Sequence, residues 1–182
     1  MKTLPPLDLL TDSFDYNPKT GRFFFRGRPL SHFKSEQAWK SWNTRFKGKE
    51  TGCKTKTKRS TYKLLCISNK LYYAHRIAWK IYYGTEPEII DHINWDGTDN
   101  RISNLRSCSY QENSRNCRLS TSNTSGYCGV YFNKRLGRWV AVIHENHTFL
   151  YRESFYDLHE AGEAVKAARI RLGFSPNHGG RE

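Results

Sequence analysis

The chain lacks any apolar run long enough to cross a bilayer. Nowhere in its 182 residues do roughly 18 apolar residues follow one another, the minimum for a transmembrane helix. The first ten residues also lack the apolar stretch and small-residue cleavage site of a secretory signal peptide. We therefore expect a cytoplasmic protein that has no membrane partner.

Paired cysteines are missing as well. The five cysteines are odd in number and include no Cys-x-x-Cys pair, which argues against a disulfide framework. Structural zinc sites use such paired ligands, so we expect no structural zinc. The cysteines stand at Cys53, Cys66, Cys108, Cys117 and Cys128.

Acidic residues are few: 17 Asp and Glu face 30 Lys and Arg, which gives a net charge of +13. This excess favours a polyanionic partner, nucleic acid first, over the alternative that the charge only confers solubility. The charge is unevenly distributed along the chain. Residues 1–70 contain 16 basic and 5 acidic residues, 71–117 contain 5 basic and 6 acidic, and 118–182 contain 9 basic and 6 acidic. Binding charge is thus expected at the two ends.

Aromatic residues are plentiful and stand next to cations, as in Tyr72-Tyr73-Ala74-His75-Arg76. Flat rings beside cations can stack on bases or sugars, although we expect most of them in the core. His75 lies where a predicted strand ends and a predicted helix begins. We expect it to make a structural hydrogen bond and to take no part in catalysis.

The first part of the chain reads as β-rich. Turn residues at 17–21 between aromatic runs predict a hairpin over 14–25, and a second hairpin is predicted over 62–74. A helix is expected from Arg76 to Tyr83. The basic segment 47–63 reads as a loop or edge ribbon facing phosphate, with a solvated surface loop as the alternative. Its candidate DNA contacts are Lys54, Lys56, Lys58 and Arg59.

The last third predicts a separate small module. The polar run Ser120–Ser125 has the composition of a flexible linker. Beyond it, three strands are expected over 127–132, 138–143 and 148–152, followed by a helix capped by Asp157 and ended by Gly173. The expected domains are a basic β-rich region over 1–70, a core over 71–118, a linker over 119–124 and a module over 125–176. The fold class is α+β.

The segment 91–117 carries the chemistry. Asp91-His92 is followed by Asn104 and Asn113, 13 and 22 residues after Asp91. Phosphodiester hydrolysis needs a base for water, a cation to absorb charge and precise positioning. His92 suits the base because its ordinary pKa leaves it neutral near pH 7. Asn104 suits the role of orienter, with its side-chain carbonyl accepting from one ring nitrogen of His92.

Asp91 and Asn113 offer two hard oxygens. Such ligands suit one Mg²⁺ or Mn²⁺ ion per site, and substrate oxygens and waters would complete the coordination. Ser109 and Glu112 form a capping-box pattern that starts a helix just before Asn113. Taken singly, the Asp and Asn residues here could be ordinary turn formers. The joint pattern favours a site.

These residues resemble a known family. The runs Ala74-His75-Arg76-Ile77-Ala78-Trp79 and Asp91-His92-Ile93-Asn94 are similar to those of phage-type HNH, or His-Me finger, homing endonucleases. The resemblance implies a ββα-metal nuclease core with an N-terminal β-rich extension. It also implies that Asp91 and Asn113 bind one divalent ion, that His92 is the general base and that Asn104 holds it. Trp95 is a departure, since relatives usually carry Gly there.

A second resemblance covers most of 124–175. Ser125-Gly126-Tyr127-Cys128-Gly129-Val130 and Arg138-Trp139-Val140-Ala141 look like the Apetala-type DNA-binding domain of ethylene-response factors. That family lays a three-stranded sheet, packed on one helix, in the major groove. The glycine expected in the second turn is replaced by Glu145-Asn146, and Trp139 has an alternative reading as a core anchor. The candidate DNA contacts are Tyr131, Lys134, Arg135, Arg138, Trp139 and Arg152.

The leading hypothesis is a metal-dependent DNA endonuclease of the homing type from a phage or mobile element. Double-stranded DNA is its expected partner, and no obligate protein partner is evident. The alternatives are a catalytically inactive DNA-binding regulator and a nuclease acting on RNA.

Overall fold

A computed structural model describes residues 3–57 and 60–180 of the chain. Small antiparallel sheets and five α-helices alternate along it, in agreement with the predicted α+β class. The chain divides into two compact units, Met1–Cys108 and Ser109–Glu182. The more detailed domain boundaries and the ββα-metal description stay predictions.

Among its described residues, the first unit contains three α-helices and eight strands. The helices are α1 (Leu7–Ser13), α2 (Glu36–Phe46) and α3 (Ala74–Tyr83), and short 3-10 turns lie at Leu30–His32 and Ile102–Asn104. The strands are β1 (Phe14–Asn17), β2 (Arg22–Phe25), β3 (Glu50–Thr51), β4 (Cys53–Lys56), β5 (Thr61–Ile67), β6 (Lys70–Tyr73), β7 (Ile89–His92) and β8 (Leu105–Cys108).

The predicted hairpin over 14–25 is present as β1 and β2. The Asn17 side chain accepts the backbone N–H groups of Lys19 and Thr20 at 3.0 and 3.1 Å, which closes the turn between the strands. Phe14 and Phe23 point inward and meet edge to face, with ring centroids 6.1 Å apart. This pair begins the apolar core of the unit.

The predicted second hairpin is also present. Strands β4, β5 and β6 form an antiparallel sheet, and Leu65 of β5 is fully buried against α3. Helix α3 begins two residues before its predicted start and ends where Gly84 adopts a left-handed conformation, φ 72°. Ile77 and Ala78 form its buried stripe. This packing fixes the start of α3, where His75 stands.

Up to residue 180, where the described part of the chain ends, the second unit contains two helices and three strands. They are α4 (Tyr110–Ser114), β9 (Val130–Asn133), β10 (Arg138–Glu145), β11 (Thr148–Phe155) and α5 (Leu158–Arg171). The predicted capping box is present at the start of α4, where the Ser109 hydroxyl accepts the N–H of Glu112 and the Glu112 carboxylate accepts the N–H of Ser109.

Strands β9 to β11 form an antiparallel sheet with β10 in the middle, and α5 packs on one face. Ala141 and Ile143 of β10 meet Ala161, Val165 and Ala168 of α5. The predicted N-cap is present, since the Asp157 carboxylate accepts the N–H of Glu160 at 2.9 Å. The predicted sheet on one helix therefore exists in the structure.

The prediction of a free tether over 120–125 is wrong at its C-terminal end. Ser125 is buried, and its hydroxyl donates to the carbonyl of Val130 at 2.7 Å. The Asn123 side chain donates to the carbonyl of Tyr127 and accepts the N–H of Gly126. Ser and Asn are common in linkers, yet the same side chains satisfy backbone groups at the start of a sheet.

The turn after β10 accommodates the departure from the expected glycine. Asn146 and His147 both have positive φ angles, 48° and 63°, and Asn tolerates that region better than most residues. The preceding Glu145 has its own partner, because both of its carboxylate oxygens accept from Arg115 at 2.8 Å. Glu145 therefore ties the end of β10 to the segment after α4.

Within the described ranges, no helix is long and apolar enough to span a membrane.

Candidate active site

The two central predicted residues, Asp91 and His92, are the last residues of β7, which pairs antiparallel with β8. Asp91 lies opposite Arg106, and His92 lies opposite Leu105. Asp91 and His92 are 8 % and 5 % exposed, so the last two residues of β7 are buried polar groups. Buried polar groups need partners, and the residues around this pair supply them.

Arg106 is the partner of Asp91. Its Nε and Nη2 atoms donate to Asp91 Oδ2 at 3.0 and 2.8 Å, and the two residues are cross-strand neighbours. A guanidinium that donates twice to a largely buried carboxylate forms a charge-assisted pair and fixes the direction of that carboxylate. The sequence pattern contained Arg106 within Asn104-Leu105-Arg106, but its role was missed because cross-strand pairing is not visible at a spacing of 15 residues.

The His92 imidazole is held in its neutral form. Burial disfavours the charged ring and lowers the pKa of His92 below its ordinary value. The neighbouring side chain of Asn100 and the nearby carboxylates raise the pKa of His92 and offset this only in part. A neutral imidazole at neutral pH can accept a proton, which is the property that a general base requires.

His75 stands beside His92. The two ring centroids are 4.9 Å apart and the ring planes meet at 82°. Burial is the main cause that lowers the pKa of His75 to about 3, and the neighbouring His92 adds to it. Within residues 3–57 and 60–180, His75 Nδ1 has no hydrogen-bond partner. The ring is therefore neutral, and the structural hydrogen bond predicted for His75 is not made at Nδ1.

Asn104 is close to this pair in the fold but holds a different group from the one predicted. Its Oδ1 atom accepts the backbone N–H of Asn94 at 3.0 Å. Its Nδ2 atom donates to Asn94 Oδ1 and to the carbonyl of Asp99, both at 2.9 Å. The predicted bond to the ring of His92 is thus replaced by bonds across the loop 93–104. Asn104 therefore holds the loop that follows His92.

Asn100 is a site residue that sequence reasoning missed. It is 1 % exposed, its Nδ2 atom donates to the carbonyl of Thr98, and its own carbonyl accepts from the Tyr16 hydroxyl at 2.7 Å. Gly21 comes so close that a Cβ atom there would lie 2.6 Å from the Asn100 carbonyl carbon. The β1–β2 hairpin therefore packs against the loop 93–104 at Asn100. In the sequence, Asn100 is one of several Asp and Asn residues in 91–117 that could be ordinary turn formers.

Trp95 occupies a backbone conformation that favours glycine. Its φ is 63°, and its N–H donates to the carbonyl of His92 at 3.0 Å. Such a left-handed conformation costs a residue with a large side chain about 1–2 kcal/mol, whereas glycine adopts it without that cost. The tight turn after His92 is kept here despite that cost.

The predicted metal ligands are divided between the two units. Asp91 lies on β7 in the first unit, whereas Asn113 lies on α4 in the second. Among the described residues there is no group of three or more His, Cys, Asp and Glu side chains that could hold a metal ion. A single oriented carboxylate still fits a hard cation that takes most of its ligands from water and substrate. Asp91 meets that requirement.

The predicted N-terminal DNA contacts lie partly on a strand. Lys54 and Lys56 are exposed on β4, which pairs with β5, so the ribbon alternative describes this segment better than a plain loop. Lys58 and Arg59 lie outside the described residues. Their predicted role stays a prediction.

The predicted C-terminal contacts divide by sheet face. Tyr131 pairs with Val140, Arg152 pairs with Val142, and Arg138 is two residues before Val140, so all three share the face opposite α5. Trp139 packs on the apolar core beneath α5, which favours its alternative reading as a core anchor. Lys134 and Arg135 are exposed in the turn between β9 and β10.

Comparison with known proteins adds one finding. No curated protein and no solved structure matches the chain. Residues 72–115 match the family model described as HNH endonuclease. That match covers α3, β7, β8 and the loop between the two strands, and it therefore supports the assignment of this segment as an HNH nuclease domain.

Proposed function

We propose that the protein is a metal-dependent DNA endonuclease in which His92 is the general base. The observation that carries the proposal is a buried, neutral imidazole beside a carboxylate with a fixed direction, within the segment that matches the nuclease family. In this reaction water attacks phosphorus, its proton passes to His92, and the bond to the 3′ oxygen breaks. The products carry a 5′ phosphate and a 3′ hydroxyl.

Asp91 is the proposed protein ligand of one divalent ion, Mg²⁺ or Mn²⁺. Asn113, which the family match includes, is proposed as a second ligand on sequence grounds alone. Bound there, the ion would absorb charge on the phosphate and on the departing oxygen. Arg106 fixes the direction of the Asp91 carboxylate, and Asn104 holds the loop that follows His92.

The basic ends are proposed to select the site on DNA. Lys54 and Lys56, together with the predicted Lys58 and Arg59, would contact phosphates. On the sheet of the second unit, Tyr131, Arg138 and Arg152 share one face, as a groove-reading surface requires. The Arg152 guanidinium lies 5.3 Å from the Phe149 ring centroid, so it is directed by an aromatic ring. We also propose Apetala-type binding and a homing role, both on the sequence resemblances alone.

The direct test is cleavage of genomic DNA. The full chain is incubated with genomic DNA and Mg²⁺, and the new ends are mapped by sequencing beside a His92→Ala control. Cleavage at a restricted set of sites by the wild type, and none by the variant, is expected. Specific binding without cleavage by the wild type would favour the inactive DNA-binding regulator, and preferential cleavage of folded RNA would favour an RNA substrate.

A further inference from the structure

Two rings contact the proposed base, and a third ring packs on both of them. Tyr62 and His75 both contact His92, with centroid separations of 6.1 and 4.9 Å. Tyr73 stacks on His75 at 5.3 Å and meets Tyr62 edge to face at the same distance. We call Tyr62, Tyr73 and His75 the ring cluster. It limits the orientations that the His92 imidazole can adopt.

Tyr62 differs from the other two members in its place in the sequence. It lies on β5, whereas Tyr73 and His75 fall within residues 72–115 that match the nuclease family model. Its ring also contacts the loop that follows His92. A Cβ atom added to Gly97 would lie 2.6 Å from Tyr62 Cδ1 and 2.5 Å from the carbonyl oxygen of Thr61. One side chain therefore touches both the base and its loop.

The ring of Tyr62 makes these contacts and its hydroxyl does not. Within the described residues, the Tyr62 hydroxyl has no hydrogen-bond partner and the side chain forms its interactions through ring packing. The Tyr62 side chain is half-buried, and so is the side chain of Tyr72 on the neighbouring strand β6. Tyr72 packs on the apolar core and has no ring contact with His92.

We propose that Tyr62 is a positioning residue that holds the His92 imidazole in its reactive orientation from outside the matched nuclease segment. The proposal rests on the proposed function of His92 as base. Catalysis is sensitive to such positioning, because a misplacement of about 1 Å in a reacting group can lower a rate roughly a hundredfold. Strand β5 is thereby a part of the active site as well as a neighbour of the basic strand β4.

The test compares three variants of the full chain: Tyr62→Leu, Tyr62→Phe and Tyr72→Leu. Single-turnover cleavage rate, Kd for DNA and Tm are measured for each. Tyr62→Leu is expected to lower the rate roughly ten- to hundredfold while Kd stays within about twofold of wild type. Tyr62→Phe keeps the ring and should cleave as the wild type does. Tyr72→Leu should lower Tm without lowering the rate.

A wild-type rate in Tyr62→Leu, or an equal loss of rate in Tyr62→Phe, would overturn the proposal. An equal loss in Tyr72→Leu would assign the effect to stability and would overturn it too. A second measurement does not depend on cleavage: the imidazole proton resonances of His92 feel the ring current of Tyr62. They are expected to move in Tyr62→Leu and to stay in place in Tyr72→Leu.

The two measurements separate the two proposals. If the wild type does not cleave, the proposed function fails and the positioning role fails with it, whatever the resonances do. If the wild type cleaves and His92→Ala does not, but Tyr62→Leu cleaves normally with unmoved His92 resonances, only the positioning role is overturned.

Discussion

Arg106 donates through Nε and Nη2 to one oxygen of Asp91, across the pair of strands that carries the site. The cation that fixes the carboxylate also repels a divalent ion approaching it. Arg106→Gln is therefore expected to lower the Mg²⁺ concentration for half-maximal cleavage by roughly two- to tenfold, or about 0.4–1.4 kcal/mol.

The matched control for this prediction is Arg101→Gln. Arg101 also pairs with an aspartate, Asp99, but its side chain is half exposed and does not touch Asp91. Mg²⁺ titrations of the cleavage rate check both variants. An unchanged or higher Mg²⁺ requirement in Arg106→Gln would show that Arg106 does not oppose the ion.

Cleavage should depend on pH through His92. Burial lowers the pKa of His92 below its ordinary value, so the imidazole releases its proton at a lower pH than a free histidine does. The protonated ring cannot accept a proton, so the rate should rise with pH below about 6.5 and be level above pH 7. With the ordinary pKa of histidine the rise in rate would lie at a higher pH.

Single-turnover rates between about pH 5 and pH 8.5, at constant ionic strength and saturating Mg²⁺, measure this profile. DNA binding is followed in parallel, so that loss of binding at low pH is separated from loss of chemistry. A rate that continues to rise well above pH 7 would contradict the assignment of His92 as a base with a lowered pKa.

Replacing Asn104 should damage both the loop and the rate. Asn104→Ala removes three hydrogen bonds across the loop, two to Asn94 and one to the carbonyl of Asp99. The expected loss in the free energy of unfolding is roughly 1–3 kcal/mol, since buried groups lose their partners. Chemical denaturation measures the loss.

Asn43→Ala is the control for Asn104→Ala. The Asn43 side chain also makes three hydrogen bonds, one from the backbone N–H of Arg28 and two to the carbonyls of Arg28 and Trp39. It should lose similar stability and keep the cleavage rate. Equal loss of rate in the two variants would mean that Asn104 has no specific link to the site.

The sheet face opposite α5 should account for part of the salt dependence of DNA binding. Arg152→Gln is expected to weaken binding and to reduce the slope of log K against log salt by about 0.9, the value for one phosphate contact. Arg171→Gln, on the exposed surface of α5, should leave the slope unchanged. Equal effects of the two substitutions would show that Arg152 contributes to DNA binding only through the net charge of the protein, without a specific phosphate contact.

Local signals in the sequence predicted much of the fold. Turn residues around Asn17, the Gly84 end of α3 and the capping box at Ser109 all act over three or four residues, and each is present. The polar run before Tyr127 was wrongly predicted to be a linker throughout. Serine and asparagine are common in linkers, but here the same residue types hydrogen-bond to backbone groups.

The residues that surround His92 were harder to predict. Asp91 and His92 were found from their spacing, whereas Arg106, Asn100 and Tyr62 reach the site through strand pairing and loop packing. Such contacts depend on register, which one sequence does not reveal. The roles of Asn104 and Trp139 changed for the same reason: each side chain fits more than one partner until the fold selects one.

The most direct test of the central claim is the single-turnover cleavage rate of His92→Ala beside the wild type, at saturating Mg²⁺ and with DNA binding measured on the same preparations. We expect a fall of at least about a hundredfold, the usual contribution of a general base, with Kd unchanged. A His92→Ala protein that binds and cleaves DNA at the wild-type rate would contradict the assignment of His92 as the base.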